Sequence, residues 1–226
     1  DESLKINIGL FFLLAAFVIS LILVLLFIFL PLVLASRKKL EKGSMKRLLY
    51  FCGLGVGFIT IEIALMQKFI LYLGHPVYAL SVILFSLLLF SSIGSFLTNK
   101  IDGNLNLKTS HILLILIVLL VLANFLILPQ ILAKTIGLGI TSRIIVSILF
   151  IAPLGIFMGM PFPLGIKTLN QENLGIIPWA WGVNGATSVF GSIASILIAI
   201  NFGFNTVLVL GMVAYLFSML VIKLKN

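Results

Sequence analysis

The sequence predicts an all-α, polytopic membrane protein with about seven transmembrane helices. Its 226 residues are 62% hydrophobic and only 9% charged, whereas a soluble domain carries roughly 25% charged residues. The mean hydropathy is +1.31, so a chain of this composition needs lipid around its outer surface. Several apolar stretches reach the roughly 20 residues that a helix needs to cross the hydrocarbon core. Each stretch must be helical, because an open strand in lipid leaves its backbone amides and carbonyls unpaired.

Seven stretches are long and apolar enough to span a membrane, and we expect them to form a single transmembrane domain over residues 1–226. Turn sequences separate several of them, namely "GHP" at 74–76, "DGN" at 102–104 and "NFG" at 201–203. The expected spans are Ile8–Ala35, Leu48–Leu73, Val77–Thr98, His111–Ala133, Arg143–Leu164, Pro178–Ile200 and Phe202–Ile222.

The first span and the loop behind it determine the expected orientation. Ile8–Ala35 is about twice as long as the apolar core of a signal peptide, and no basic segment precedes it. The loop "SRKKLEKGSMKR" at 36–47 is strongly basic, so the positive-inside rule places it in the cytoplasm. Alternating spans then put 11 of the 15 Lys and Arg residues inside and 4 outside. This predicts a multi-pass protein of the plasma or inner membrane, with its N-terminus outside and its C-terminus cytoplasmic.

The basic residues and the single cysteine exclude other classes of protein. The net charge is +9, but the basic side chains lie between apolar runs, where topology signals occur. We therefore expect the lipid bilayer as a partner and no nucleic acid. Cys52 lies inside an apolar run, and one cysteine cannot form an internal disulfide or a metal cluster. His75 and His111 are far apart at expected interfaces, so we expect no metal and no cofactor.

The second span carries a carboxylate at a costly depth. Glu62 lies 14 residues after Leu48, or about 21 Å along a helix, past the midplane of a core about 30 Å thick. Two interpretations stay open: a functional carboxylate that meets a ligand, or a protonated side chain that clamps helices together. In both we expect Glu62 to face the sixth span and Asn184. Lys68 and His75 are expected at the outer interface, since Lys68 can snorkel there.

Glycines mark the expected close contacts between helices. Gly53, Gly55 and Gly57 precede Glu62, and no strand comes before them, so they do not form a nucleotide-binding turn. Glycines at such positions allow helices to approach closely. In the third span, the segment "SSIGS" at 91–95 forms a second face of small residues.

The fifth span ends in a proline-rich segment, "GIFMGMPFPLGIK" at 155–167. Pro161 and Pro163 remove two amide donors and predict a helix break close to the cytoplasmic surface. Free backbone carbonyls at membrane depth are tolerated beside protein or a water-filled cavity, and broken helices are a feature of transporter sites. A plain helix end is the alternative interpretation.

The sixth span, "PWAWGVNGATSVFGSIAS" at 178–195, has a polar face of small residues. Trp181, Asn184 and Ser188 lie one above another on that face, followed by Gly191 and Ser195. The face predicts either a packing seam or the wall of a cavity, and Trp181 also fits an aromatic belt. As a hypothetical substrate-binding set we select Trp181, Asn184 and Ser188 together with Glu62.

Two motifs carry a family resemblance. The first is "GFITIE" at 57–62, continued by "QK" at 67–68 and "LG" at 73–74; the second is "MGMPFPLG" at 158–165, followed by "WAWGVNGA" at 179–186. Over roughly residues 48–222 the chain resembles the multi-helix membrane region of bacterial spermidine-synthase-like membrane proteins. In that family the membrane region is fused to an aminopropyltransferase-like domain with an S-adenosylmethionine-type fold.

The resemblance implies a protein partner for this chain, but it does not imply that the chain itself catalyses the aminopropyltransferase reaction. No strand–turn–helix unit for a nucleoside occurs in this sequence, so no catalytic residue carries over, and we do not expect catalysis from this chain alone. The start at Asp1 fits a fragment or processed product that follows such a domain. The implied partners are a soluble aminopropyltransferase-like domain or other membrane subunits. We expect a membrane module that binds or moves a small cationic substrate, and the resemblance implies that polyamine transport is a possible function. The alternative is a structural anchor subunit that moves nothing.

Overall fold

The structure is a computed structural model that describes residues 2–31, 43–101, 107–171 and 175–223. Within these ranges the chain is helical throughout and contains no strand, which confirms the predicted all-α fold. Six of the helical segments are long and apolar enough to cross a membrane. The expected turn at 102–104 and the expected loop residues 36–42 lie outside the described residues.

Eight α-helices follow one another in the residues that the structure describes, and their bounds differ from the expected spans mainly where proline intervenes. The fourth span ends at Leu126 rather than Ala133, because a short helix containing Pro129 starts at Leu128. A π-helical turn at Leu25–Phe29 extends the first helix. The helices are α1 (Glu2–Val24), α2 (Ser44–Leu73), α3 (Pro76–Leu97), α4 (Leu107–Leu126), α5 (Leu128–Thr135), α6 (Ile140–Met158), α7 (Pro161–Gln171) and α8 (Ile177–Lys223).

The last helix, α8, is a hairpin of two spans. A straight helix of its 47 residues would be about 70 Å long, more than twice the hydrocarbon core of about 30 Å. Gly203, at φ 79° and ψ 163°, interrupts the helical backbone. We call residues 177–202 the first arm and residues 204–223 the second arm. With the reversal at Gly203, the expected sixth and seventh spans correspond to these two arms.

Both arms pack along α2, in opposite directions. In the first arm, Asn184 contacts Phe51, and Gly191 lies beside Ile59, so residue numbers rise together along the two helices. In the second arm, numbers fall as those of α2 rise: Ser218 donates to the Tyr50 carbonyl, and Gly211 meets Ile61. The arms are therefore parallel and antiparallel to α2, as expected for successive spans.

Glycines permit this close packing, as the sequence predicts. A methyl group on Gly53 would meet the Ser218 hydroxyl, and one on Gly55 would meet the Asn184 carbonyl oxygen. A methyl group on Gly57 would lie 2.9 Å from the Tyr215 ring. Since the three glycines alternate between the two arms, α2 lies between both arms with its backbone close to each.

The contact between α3 and α6 uses the second set of small residues. A methyl group on Gly94 would meet the Ile156 carbonyl oxygen, and one on Gly159 would meet the Ser91 carbonyl oxygen. The backbones of the two helices are thus in direct contact at the end where α6 stops. This contact fixes the position of the end of α6 relative to α3.

Polar contacts hold the other end of the bundle, where α2 and α3 meet. Gly74 ends α2 with a φ of 79°, and the next residue, His75, caps α3 by accepting a hydrogen bond from the Val77 amide at 3.2 Å. Arg143 donates from Nη1 to the Tyr72 carbonyl at 2.8 Å, and the Tyr72 hydroxyl bonds Thr135 at 2.8 Å. These bonds connect α2 to α5 and α6.

Candidate functional site

The helix interruption lies between α6 and α7. The helix α6 ends at Met158, and α7 begins at Pro161, a first helical position at which the missing amide costs little. The Gly159 amide closes the end of α6 by donating to the Gly155 carbonyl at 3.0 Å. In a continuous helix the Gly159 carbonyl would accept from residue 163, but proline there has no amide to donate. The interruption therefore leaves the Gly159 carbonyl without the amide partner that a continuous helix would supply.

Aromatic side chains from α2 and α8 hold the start of α7 in place. The buried Tyr50 hydroxyl donates to the Pro161 carbonyl at 2.8 Å. The Phe162 ring packs edge-on between Phe51, at 5.3 Å between centroids, and Trp181, at 4.6 Å. These contacts connect the interruption to both helices that carry the expected site residues.

A cavity of about 680 Å³ lies beside the interruption, within the range of roughly 300–1,000 Å³ of small-molecule sites. It is enclosed by α2, α3, the junction of α6 and α7, and the first arm of α8, with Tyr215 reaching it from the second arm. Its polar lining residues include Ser91, Ser95, Asn99, Lys167, Asn184, Ser188 and Tyr215.

Two polar side chains of the first arm line the cavity and also bond α2. Asn184 donates from Nδ2 to the Phe51 carbonyl at 3.0 Å. Ser188 bonds the Gly55 carbonyl at 3.2 Å and the Asn184 carbonyl at 2.9 Å. The Asn184 amide nitrogen thus holds α2, while its Oδ1 accepts no hydrogen bond within the described part of the chain.

Tyr215 supplies a polar group in the interior of the protein. Its side chain is only 1% exposed, yet it lines the cavity. No hydrogen bond joins its hydroxyl to any residue in the described ranges. Since the hydroxyl of a buried tyrosine side chain normally has a hydrogen-bond partner, the missing partner makes Tyr215 unusual among the lining residues.

Lys167 is the single charged residue among those that line the cavity. Its Nζ donates to the Thr98 carbonyl at 2.6 Å, which leaves two of the three ammonium donors for other acceptors. No Asp or Glu is among the lining residues that the structure describes. The local charge of the cavity is therefore positive.

The structure brings together part of the expected site. Trp181, Asn184 and Ser188 all line the cavity, and so does Pro163 from the interruption. Pro161 is the first residue of α7 and takes part through its carbonyl, which accepts from Tyr50. Trp181, Asn184 and Ser188 thus form part of the cavity wall, and Asn184 and Ser188 also bond α2. This face is therefore both a packing seam and a cavity wall.

Glu62 lies outside the cavity. It is half-buried on α2, one turn beyond the lining residue Phe58. Its carboxyl group has no hydrogen bond or ion pair with any residue in the described ranges. Glu62 is therefore not a lining residue, whereas Trp181, Asn184 and Ser188 are.

The two residues expected at the outer interface lie at the far end of α2. Lys68 places its Nζ 5.8 Å from the centroid of the Phe125 ring, and this nitrogen is buried without a hydrogen-bond partner in the described chain. His75 is exposed at the cap of α3. Neither residue lines the cavity.

Among the lining residues outside the set expected from the sequence, Lys167 supplies a charge and Tyr215 a hydroxyl. In the sequence, Lys167 contributes only to the count of cytoplasmic basic residues. Its position one to two helical turns after Pro161 and Pro163 nevertheless indicates that it lies close to the interruption. Tyr215 gives no sequence signal, because its approach to the cavity depends on the reversal at Gly203 and on the glycine contacts along α2.

The fold and the cavity define a helical, multi-pass membrane protein with a polar site between its helices. A scan against protein-family models, a search of the curated proteins and a search of the solved structures each return no match for this chain. The resemblance to spermidine-synthase-like membrane proteins stays a prediction.

Proposed function

We propose that this chain is a membrane module that binds a small polar ligand in the cavity beside the interrupted helix. The observation that carries the proposal is the position of Tyr215, a buried residue that lines the cavity and whose hydroxyl makes no hydrogen bond to a described residue. Asn184 and Gly159 line the same space, and the Asn184 Oδ1 atom and the Gly159 carbonyl are the acceptors that these two residues can offer. A cavity that only separates packed helices has no need of such convergent groups.

The charge of the ligand follows from the lining. A cationic substrate was expected to meet Glu62, but Glu62 lies outside the cavity, and Lys167 is the charged residue inside it. The described lining residues give a cation no counter-charge and favour a neutral or anionic ligand. Binding of a cation at Glu62 itself stays a prediction.

The setting of the module is part of the same proposal. The basic loops support a plasma or inner membrane location with the N-terminus outside and the C-terminus in the cytoplasm. Lys46, Arg47, Lys100 and Lys167 lie at the cavity end of the bundle, so the cavity opens toward the cytoplasmic leaflet. A soluble aminopropyltransferase-like domain or another membrane subunit is the partner that the resemblance implies.

A structural anchor is the second candidate, and one observation favours it. Thr187 and Ser188 bond backbone carbonyls of α2, as Asn184 does, so these polar side chains of the first arm also stabilise the helix contact. An anchor needs that contact and no ligand.

Copurified molecules distinguish the two functions. The Ser95→Phe variant fills the cavity from α3, and Ser81→Phe places the same ring on an exposed position of that helix. If the cavity binds a ligand, mass spectrometry of extracts will find a molecule in wild-type protein and in Ser81→Phe that Ser95→Phe lacks. Identical extracts from all three proteins, with all three folded, would support the anchor.

A further inference from the structure

The rim of the cavity is apolar and faces the membrane. Phe96 on α3 and Trp181 on the first arm of α8 both line the cavity, and they are 67% and 61% exposed. In a chain of this composition, exposed aromatic side chains near helix ends lie against lipid and its headgroup region. The gap between these two helices therefore connects the cavity with the bilayer.

The polar part of the cavity lies behind that rim. Lys167 comes from α7 and is held at the end of α3 by the Thr98 carbonyl. Tyr215 and Asn184 lie on the α8 arms, away from the exposed faces of the bundle. A molecule that entered between Phe96 and Trp181 would thus meet aromatic side chains first and a cation with hydrogen-bonding groups further in.

The end of the bundle that holds the cavity is basic. Lys46 and Arg47 begin α2 at that end, and Lys100 follows α3. Basic pockets between transmembrane helices at such an end bind anionic lipid headgroups. The cavity combines this charge with a rim that an acyl chain can contact.

On the basis of the proposed function, we infer that the ligand of the cavity is an anionic lipid. Its phosphate accepts hydrogen bonds from the two remaining donors of Lys167, and its acyl chain leaves the cavity between Phe96 and Trp181. The Tyr215 hydroxyl and Asn184 Oδ1 bind the polar groups of the head. The lipid enters laterally from the leaflet.

Fluorescence quenching tests this inference, because a tryptophan lies at the rim. In a Trp179→Phe background, Trp181 is the remaining tryptophan of the chain. The full chain is reconstituted in phosphatidylcholine vesicles, and brominated phosphatidylglycerol or brominated phosphatidylcholine with the same acyl chains is added. We expect Trp181 to be quenched at about fivefold lower mole fraction by phosphatidylglycerol, the preference that one basic residue provides.

Four variants locate the preference. Lys167→Gln should reduce it to about onefold, whereas Lys167→Arg should keep it, since both preserve length but only the second preserves charge. Lys134→Gln is the control, because Lys134 is exposed at the opposite end of the bundle. Ser95→Phe should abolish the preference by filling the cavity.

Several results would overturn the inference. Equal quenching by the two lipids, or a preference that survives Lys167→Gln or Ser95→Phe, would place the lipid elsewhere. Relief of phosphatidylglycerol quenching by millimolar glycerol 3-phosphate would show that the site takes a soluble anion. If the copurified molecule lost in Ser95→Phe is neutral or soluble in water, the lipid inference fails while the proposed function stands.

Discussion

The Asn184 side-chain amide donates to the Phe51 backbone carbonyl at 3.0 Å, across the contact between α8 and α2. In a continuous helix this carbonyl already accepts from the amide four residues later, so Asn184 adds a second bond to it. The same side chain lines the cavity with its oxygen. One residue therefore stabilises the helix pair and shapes the site.

Replacing Asn184 tests its role in stabilising the helix pair. Asn184→Ala removes the bond to Phe51 and should lower the free energy of unfolding by about 0.6 kcal/mol, the mean for hydrogen bonds between membrane helices. Asn201→Ala is a matched control, because Asn201 is exposed and bonds its own helix at the Leu197 carbonyl. Thermal unfolding in detergent measures both. A larger loss in Asn201→Ala than in Asn184→Ala would contradict the assignment.

Gly55 gives a sharper test of the packing between α2 and the first arm. A methyl group there would meet the backbone carbonyl oxygen of Asn184, which cannot move aside like a flexible side chain. Gly55→Ala should therefore destabilise the protein by about 1–3 kcal/mol. Gly182→Ala should be neutral or slightly stabilising, because open space surrounds Gly182 and alanine favours helix. Equal unfolding temperatures for the two variants would exclude the close contact.

The reversal at Gly203 depends on a backbone conformation that only glycine adopts readily. Its φ of 79° and ψ of 163° fall in a region where other residues pay about 1–3 kcal/mol. Gly203→Ala should lose stability by that amount although no atom lies near the added methyl group. Gly185→Ala, also in open space but with helical φ, is the control. Stability unchanged in Gly203→Ala would show that the hairpin tolerates another geometry.

The helices could be predicted from the sequence because their signals are local. The run of apolar residues from Leu48 to Leu73 places α2 within four residues at its start and at its observed end. The segment at 201–203 marks the reversal, and Pro161 and Pro163 lie directly after the interruption. In each case one short segment determines the structure: the length of the apolar run for the helix, the conformational freedom of glycine for the reversal, and the missing proline amide for the interruption.

The site could be predicted only in part, because its other half depends on contacts distant in sequence. The periodicity of the first arm placed Trp181, Asn184 and Ser188 on one face, and that face lines the cavity. Periodicity along α2 could not show that the α8 arms would cover its neighbouring faces and leave Glu62 outside. Tyr215 reaches the cavity through pairings more than 150 residues apart along the chain.

The predicted orientation gives a labelling pattern. Met45 lies at the start of α2, and Leu138 lies in the segment between α5 and α6; both are exposed. In a Cys52→Ala background, Met45→Cys should resist a membrane-impermeant maleimide in intact cells, and Leu138→Cys should react. After permeabilisation both should react, which controls for access. The inverse pattern in intact cells would reverse the assigned topology.

Two substitutions of Glu62 distinguish a side chain that clamps helices together from a carboxylate that binds a ligand. No described side chain donates to its carboxyl group, so replacing it removes no hydrogen bond that the structure contains. Glu62→Gln and Glu62→Leu should both keep the unfolding temperature, since a half-buried leucine fits the apolar surroundings of α2. If Glu62 clamps helices, Glu62→Leu will be destabilised relative to Glu62→Gln. If it binds a cation, both variants will fold normally, and both will lose the protection that spermidine gives the wild-type protein against unfolding.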